Sequence, residues 1–272
     1  MIEAMVSLGG LGLLFAVLLG VAARKFAVEK DPRAEKISEV LPGANCGACG
    51  FPGCSGLAEA IAKGEAPVAA CLVGGAPVAE EIAAIMGVQA DGGEERKIAH
   101  LLCNGGYGVA VQRAKYEGLQ DCRSATAFAS GGKACTFGCV GLGNCVRACP
   151  FGALSLAENG LPVVDAEKCT GCGICVEACP KGLMTLIPER SKVYVACSSK
   201  APGREVRQTC QVGCIACRIC EKTCEFDAIH VVDNIASIDY DKCTNCGRCA
   251  EKCPQKIIIN EQLTGRVAVS AK

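Results

Sequence analysis

The chain has 272 residues, 24 of them cysteine, with no tryptophan and 4% aromatics. That length allows two or three small domains, yet so few large side chains cannot hold them by burial alone, and bound metal is expected to supply folding energy. Basic and acidic residues balance at 28 each, which gives no global field toward nucleic acid, and CxxCxxC runs in a chain this long argue against the disulfide framework of short secreted proteins.

Residues 2–23 are apolar except for Glu3 and Ser7, and at about 1.5 Å per residue they just span a bilayer core. Arg24, Lys25, Lys30 and Arg33 follow and no cation precedes, which predicts a single-pass anchor with the bulk of the chain cytoplasmic. A cleaved signal would carry its positive charge before the apolar run. Nothing ionisable lies between Glu3 and Arg24, so the helix is expected to anchor and not to conduct. Gly9, Gly10, Gly12 and Gly20 fit either close approach by another helix or ordinary glycine tolerance.

A charged amphipathic helix is predicted over 26–40, stopped by Pro42 and Gly43. Cys46, Cys49, Cys54 and Cys71 follow with C-x2-C-x4-C-x16-C spacing, separated by the helix-like GLAEAIAKG. This suits one [4Fe–4S] cube held by a glycine-rich loop and a remote thiolate, although zinc would use the same four ligands. Pro77 opens another predicted helix that ends near Gly87, and 89–93 reads as a linker.

The remainder is an internal repeat. Cys169-x2-Cys172-x2-Cys175-x3-Cys179-Pro180 is matched by Cys243-x2-Cys246-x2-Cys249-x3-Cys253-Pro254. In this bacterial ferredoxin spacing three thiolates wrap one cube and the fourth reaches a neighbouring one. Upstream, Cys135 and Cys139 align with Cys210 and Cys214, Cys145 with Cys220, and Cys149 with Cys224. Between them, Asn159-Gly160 and Asp233-Asn234 mark hairpin turns. Leu142 stands opposite Cys217, so the first run lacks its middle thiolate and Cys135 is the expected substitute.

Five cubes are therefore expected. Their ligands are Cys46, Cys49, Cys54 and Cys71; Cys135, Cys139, Cys145 and Cys179; Cys169, Cys172, Cys175 and Cys149; Cys214, Cys217, Cys220 and Cys253; and Cys243, Cys246, Cys249 and Cys224. Cys103, Cys122, Cys197 and Cys210 are left over, either as a sixth cube or as buried free thiols. Cys103 and Cys197 each close a strand-like run, IAHLLC and VYVAC. His100 and His230 sit in apolar runs and are expected to pack, not to ligate. Gly106-x-Gly108 breaks at Val111, so no nicotinamide site is read, nor any nucleophile with its base. No catalytic residue is assigned: the chain is expected to carry electrons without bond chemistry of its own.

Charge is uneven locally. Residues 80–95 are acidic, while 189–222 are rich in Arg and Lys, including Arg204 and Arg207. Both stretches fit solvated faces, and the basic one would also steer an acidic electron carrier. The expected fold is α+β: a transmembrane helix over 1–24, a juxtamembrane helix and small helical [4Fe–4S] domain over 25–90, and two tandem bacterial 2[4Fe–4S] ferredoxin-like modules, over 91–190 with an N-terminal extension and over 191–272.

The run RKFAVEKDPRAEKISEVLPGANCGACGFPGC directly behind the apolar segment, followed by Cys71 and the ferredoxin modules, resembles the B subunit of Rnf electron-transport complexes over essentially the whole chain. The joined anchor, charged helix and CGACGFPGC loop are the specific part. The resemblance implies a bacterial inner-membrane complex, a redox-driven ion translocase that oxidises reduced ferredoxin, reduces NAD and moves Na⁺ or H⁺. It implies soluble ferredoxin and further membrane and flavin subunits as partners. Electrons would enter at a distal cytoplasmic module and pass toward the set at Cys46. Shorter members carry one ferredoxin module. Two neighbouring readings are a related complex that keeps a redox-sensing regulator reduced and the iron–sulfur subunit of another membrane dehydrogenase or hydrogenase. The latter does not explain the CGACGFPGC loop. Outside electron carriage altogether stands a metal-binding scaffold.

Overall fold

The computed structural model describes residues 2–25, 31–89 and 95–264. Helix α1 (Ile2–Lys25) runs 24 residues and ends in Arg24 and Lys25. Its Leu11, Leu13, Phe15, Leu18 and Leu19 are each more than half exposed. Of α1, residues 9–22, 24 and 25 are described in full, and among the described residues no helix is long and apolar enough to cross a membrane. The fully described stretch is shorter than a span needs, while the backbone helix is of spanning length. The expected transmembrane anchor therefore has no support here beyond a helix in the right place.

Of the helix expected over 26–40, α2 (Pro32–Val40) is described. Asp31 caps it by accepting from Arg33 N at 2.8 Å, with Pro32 in the first helical position. Helices α3 (Cys54–Lys63) and α4 (Gly75–Met86) each end on a glycine in the left-handed region, Gly64 and Gly87. The three helices bury Ile37, Leu57, Ile61 and Ile82 against one another. The linker expected at 89–93 falls almost wholly outside the described residues.

Two copies of one architecture follow. In the first, β1 (Lys97–Leu101) comes from the extension, followed by α5 (Cys122–Ala127) and α6 (Asn144–Ala148). The hairpin β2 (Leu154–Leu156) and β3 (Pro162–Val164) leads to α7 (Ile174–Ala178) and β4 (Met184–Pro188). β1 pairs antiparallel with β4, Lys97 facing Pro188 and Leu101 facing Met184. The second copy repeats this with β5 (Val193–Val195), α8 (Gly203–Thr209), α9 (Ile219–Thr223), the hairpin β6 (Ile229–Val232) and β7 (Ile235–Ile238), α10 (Arg248–Lys252) and β8 (Ile258–Asn260). β5 pairs antiparallel with β8. Asp233 and Asn234 adopt φ of 49° and 64°, the paired positive values of a two-residue hairpin turn.

The strand-like runs before Cys103 and Cys197 are thus the two closing strands. Helices α5 and α8, by contrast, have no counterpart in the pattern read from the sequence. Each core is thin, and cysteines belong to it: Cys145, Cys169 and Cys175 lie with Ile98, Leu154 and Met184, while Cys214 and Cys220 lie with Val193, Ile229 and Ile258.

Candidate metal centres

The N-terminal loop is shaped by Asn45, whose Oδ1 accepts from Cys54 N at 2.8 Å and whose Nδ2 donates to Gly43 O at 3.1 Å. Gly53, at φ 127°, leaves no room for a side chain, because a Cβ would meet Asn45 Oδ1 at 2.9 Å. Cys71 Sγ accepts from Gly74 N at 3.3 Å. Burial pushes the Cys71 thiol up, and the nearby Cys54 and Cys49 add to this, which brings the remote cysteine to the loop.

In the first module, Cys122, Cys139, Cys145 and Cys179 line one cavity of about 390 Å³. Asn144 holds Cys122 there: its Oδ1 accepts from Cys122 N at 3.0 Å and its Nδ2 donates to Asp121 at 2.6 Å. Burial pushes Cys139 up to about 12 and Cys145 up to about 11. Cys175, at about 12, is raised by burial and then by Cys169, Cys172, Cys145 and Cys149, so those thiols share one neighbourhood. The loop around Cys169 is pinned to the closing strand: Ala99 N donates to Cys169 Sγ at 3.5 Å, and Arg96 Nη2 donates to Cys169 O at 3.0 Å.

In the second module Cys220 is pushed up to about 11 by burial and then by Cys214, Cys217 and Cys253. Cys249 is pushed up to about 12 by burial, Cys243, Cys246 and Cys220. Cys224 Sγ accepts from Ala228 N at 3.4 Å. Cys217 and Cys246 are exposed.

A further cavity, of about 370 Å³, lies where the modules meet and has Cys103, Cys135, Cys197 and Cys210 on its walls. The cavities gather these thiols differently from the expected grouping: Cys122 lines the cavity of Cys139, Cys145 and Cys179, whereas Cys135 lines the other with Cys103, Cys197 and Cys210. The reason is geometric: α5 comes from the extension and delivers its first residue to the gap, whereas Cys135 precedes the turn into that site.

The donor chemistry fits iron–sulfur cubes. Thiols raised this far keep their protons at neutral pH unless a bound metal displaces them. Among the described residues no three of His, Cys, Asp and Glu converge on one point closely enough for a single ion. A cube is as wide as its loop and holds its thiolates further apart. Among the described residues Thr170 Oγ1, inside the Cys169 loop, is buried and meets no partner at hydrogen-bond geometry. It lies beside Cys172 and lowers that thiol's pKa, against the larger effect of burial. The His100 ring packs 4.5 Å from that of Tyr194 at a tilt of 54°, and His230 faces Glu221 and Asp227, so neither joins a thiol set.

Family comparisons agree that the chain carries iron–sulfur domains. Residues 41–73 match a family described as "Putative Fe-S cluster", 134–183 a "4Fe-4S dicluster domain" and 236–259 a "4Fe-4S binding domain". Over 95% of its length the chain is 44% identical to the B subunit of an ion-translocating oxidoreductase complex of Methanosarcina acetivorans, covering 97% of that protein. It is 48% identical, again over 95% of its length, to the B subunit of a Na⁺-translocating ferredoxin:NAD⁺ oxidoreductase complex of Acetobacterium woodii, covering 78% of it. The corresponding subunit of a proton-translocating complex of Clostridium ljungdahlii is 43% identical over 90% of the chain and 87% of that protein. The chain belongs to the Rnf B-subunit family. Cys103, Cys122, Cys197 and Cys210 all fall outside the matched domains.

Proposed function

We propose that this Rnf-family chain is the multi-cluster iron–sulfur component of a membrane-bound ferredoxin:NAD oxidoreductase that couples electron flow to Na⁺ or H⁺ translocation. Bound as [4Fe–4S] cubes, the clusters supply one-electron carriage. The chain's own work is to hold thiol sets in file and to shield them from water.

The observation that carries the reading is this serial adjacency. Cys46 of the N-terminal set lies near Cys172, and one cleft has Cys71 on one wall and Cys169 on the other. The Cys169 set adjoins the Cys139 set through Cys145. In the second module the Cys243 set adjoins the Cys214 set through Cys220. The second module's sets carry the exposed Cys217 and Cys246, the side from which a soluble ferredoxin would deliver electrons. The first module's file ends at the N-terminal set, next in sequence to α1. Residues 2–23 would tether that end to the cytoplasmic membrane, with the cations from Arg24 onward on the inner side.

The test is anaerobic rapid mixing of chemically reduced ferredoxin with the full-length chain. Bleaching of this chain's own cluster absorbance is expected, and its absence would refute the reading. Membrane fractions should hold the full chain and lose it when residues 1–24 are removed.

A further inference from the structure

We propose that Cys103, Cys135, Cys197 and Cys210 hold a sixth four-iron cluster at the junction of the two modules. The inference rests on the reading of the other thiol sets as cube ligands.

The site is built twice over by the internal repeat. Cys103 lies two residues beyond β1 and Cys197 two residues beyond β5, the equivalent closing strands. Cys135 and Cys210 each stand four residues before a ligand of the neighbouring set, Cys139 and Cys214. The hydrogen bonding repeats as well. Cys139 N donates to Cys103 Sγ at 3.4 Å, and Cys214 N donates to Cys197 Sγ at 3.4 Å. Each module therefore brings two thiols, one held by the backbone of the adjacent ferredoxin loop. Cys210 of the second module converges on Cys103 of the first, since a side chain at Gly105 would meet Cys210 Sγ at 3.1 Å and Cys103 Sγ at 3.9 Å. Backbone bonds close the junction, with Val111 N donating to Thr209 O at 3.0 Å and Gln211 N to Val109 O at 3.2 Å.

Two further properties point to an anionic cluster in place of four idle thiols. The space between its thiols matches in size the one that the Cys139 set lines. It also contains an uncompensated cation. Lys133 is 5% exposed and donates to two carbonyl oxygens, and among the described residues no Asp or Glu lines the cavity. A buried ammonium without a counter-charge is costly. A cube with four thiolates carries net negative charge and supplies that counter-charge. Placed here, the set adjoins Cys139 through Cys103 and Cys214 through Cys197, and so joins the two modules' files into one.

The test is metal and sulfide analysis of the full-length chain purified without oxygen. About twenty-four irons and as many acid-labile sulfides per chain are expected, six cubes of four. About twenty would overturn the sixth cluster and leave the other five standing, as would about twenty with one zinc. No iron at all would overturn the cube reading beneath it. The variant Cys103→Ala/Cys197→Ala removes one thiol from each module and should lose about four irons in total, with the signals of the other clusters retained. An unchanged iron content would overturn the proposal. If this variant does not fold, the wild-type count decides.

Discussion

Lys133 Nζ donates to the carbonyl oxygen of Cys139 across 2.6 Å, and the same ammonium donates to Gly105 O at 2.8 Å. A buried lysine thus holds the Cys139 loop against the turn that follows Cys103. Lys133→Met should leave both carbonyls without donors and cost roughly 3 kcal/mol of stability. It should also lower the midpoint potential of the adjoining clusters, since removing a buried positive charge disfavours the extra electron. Denaturant titration and anaerobic redox titration measure the two effects. Lys133→Arg should keep the potential nearer to wild type than Lys133→Met does.

Cys122 and Cys139 share a cavity, whereas Cys135 and Cys139 do not. Cys122→Ala/Cys139→Ala should therefore lose about four irons per chain, one cube, and Cys135→Ala/Cys139→Ala about eight. The reverse order would restore the grouping expected from the repeat alignment.

That alignment shows what sequence made legible and where it stopped. The closing strands, hairpins and CxxCxxC loops recur at fixed spacing, so both ferredoxin-like modules could be read from residue order. The gap at Leu142 was visible as well. Its remedy was not, because Cys122 lies upstream and reaches the site only through an Asp121 cap and Asn144. The one local signal was Asp121-Cys122-x-Ser124, a helix start placed on a cysteine. The junction set draws on both modules, so no single run contains its spacing.

Gly171 lies inside the Cys169–Cys172 turn at φ 69°, and a Cβ there would come within 2.4 Å of the Lys97 carbonyl oxygen. Gly171→Ala combines left-handed strain with a backbone collision, and either the cluster loop or β1 must move. The expected cost is roughly 2–4 kcal/mol, with weakened retention of the adjoining cluster. Gly182→Ala is the control, because φ is 61° but nothing lies within 4 Å. It should cost only about 1 kcal/mol. Loss of cluster absorbance against denaturant concentration compares the two.

His100 is 8% exposed, and burial, with a smaller effect from Lys192, lowers its pKa from 6.5 to about 4. Glu261 Oε1 at 3.8 Å from Nδ1 pulls the other way, and the Tyr194 ring covers one face. Desolvation prevails because so little of the ring meets water. Between pH 6.5 and 4 the unfolded chain binds the proton and the folded chain does not. Stability should therefore fall as pH drops through that window and be unaffected by this group above it, with a full loss of roughly 3 kcal/mol. His100→Phe should flatten this part of the stability profile measured between pH 7 and pH 5.5. An unchanged slope would show that His100 accepts its proton in the folded state.

Arg204 and Arg207 stand exposed on α8, whose inner residue Val206 lines the junction cavity. Among the described residues neither enters a salt bridge, so both present charge to solvent. A basic helix on the second module is placed to steer an acidic carrier toward that module, through a long-range field that salt screens. Arg204→Glu/Arg207→Glu should slow reduction by ferredoxin on the order of tenfold at low ionic strength. The difference from wild type should shrink toward physiological salt, where the screening length is about 8 Å. Cluster content should not change, because both residues are exposed. Equal rates and equal salt slopes for variant and wild type would show that α8 does not steer the carrier to the exposed Cys217 and Cys246.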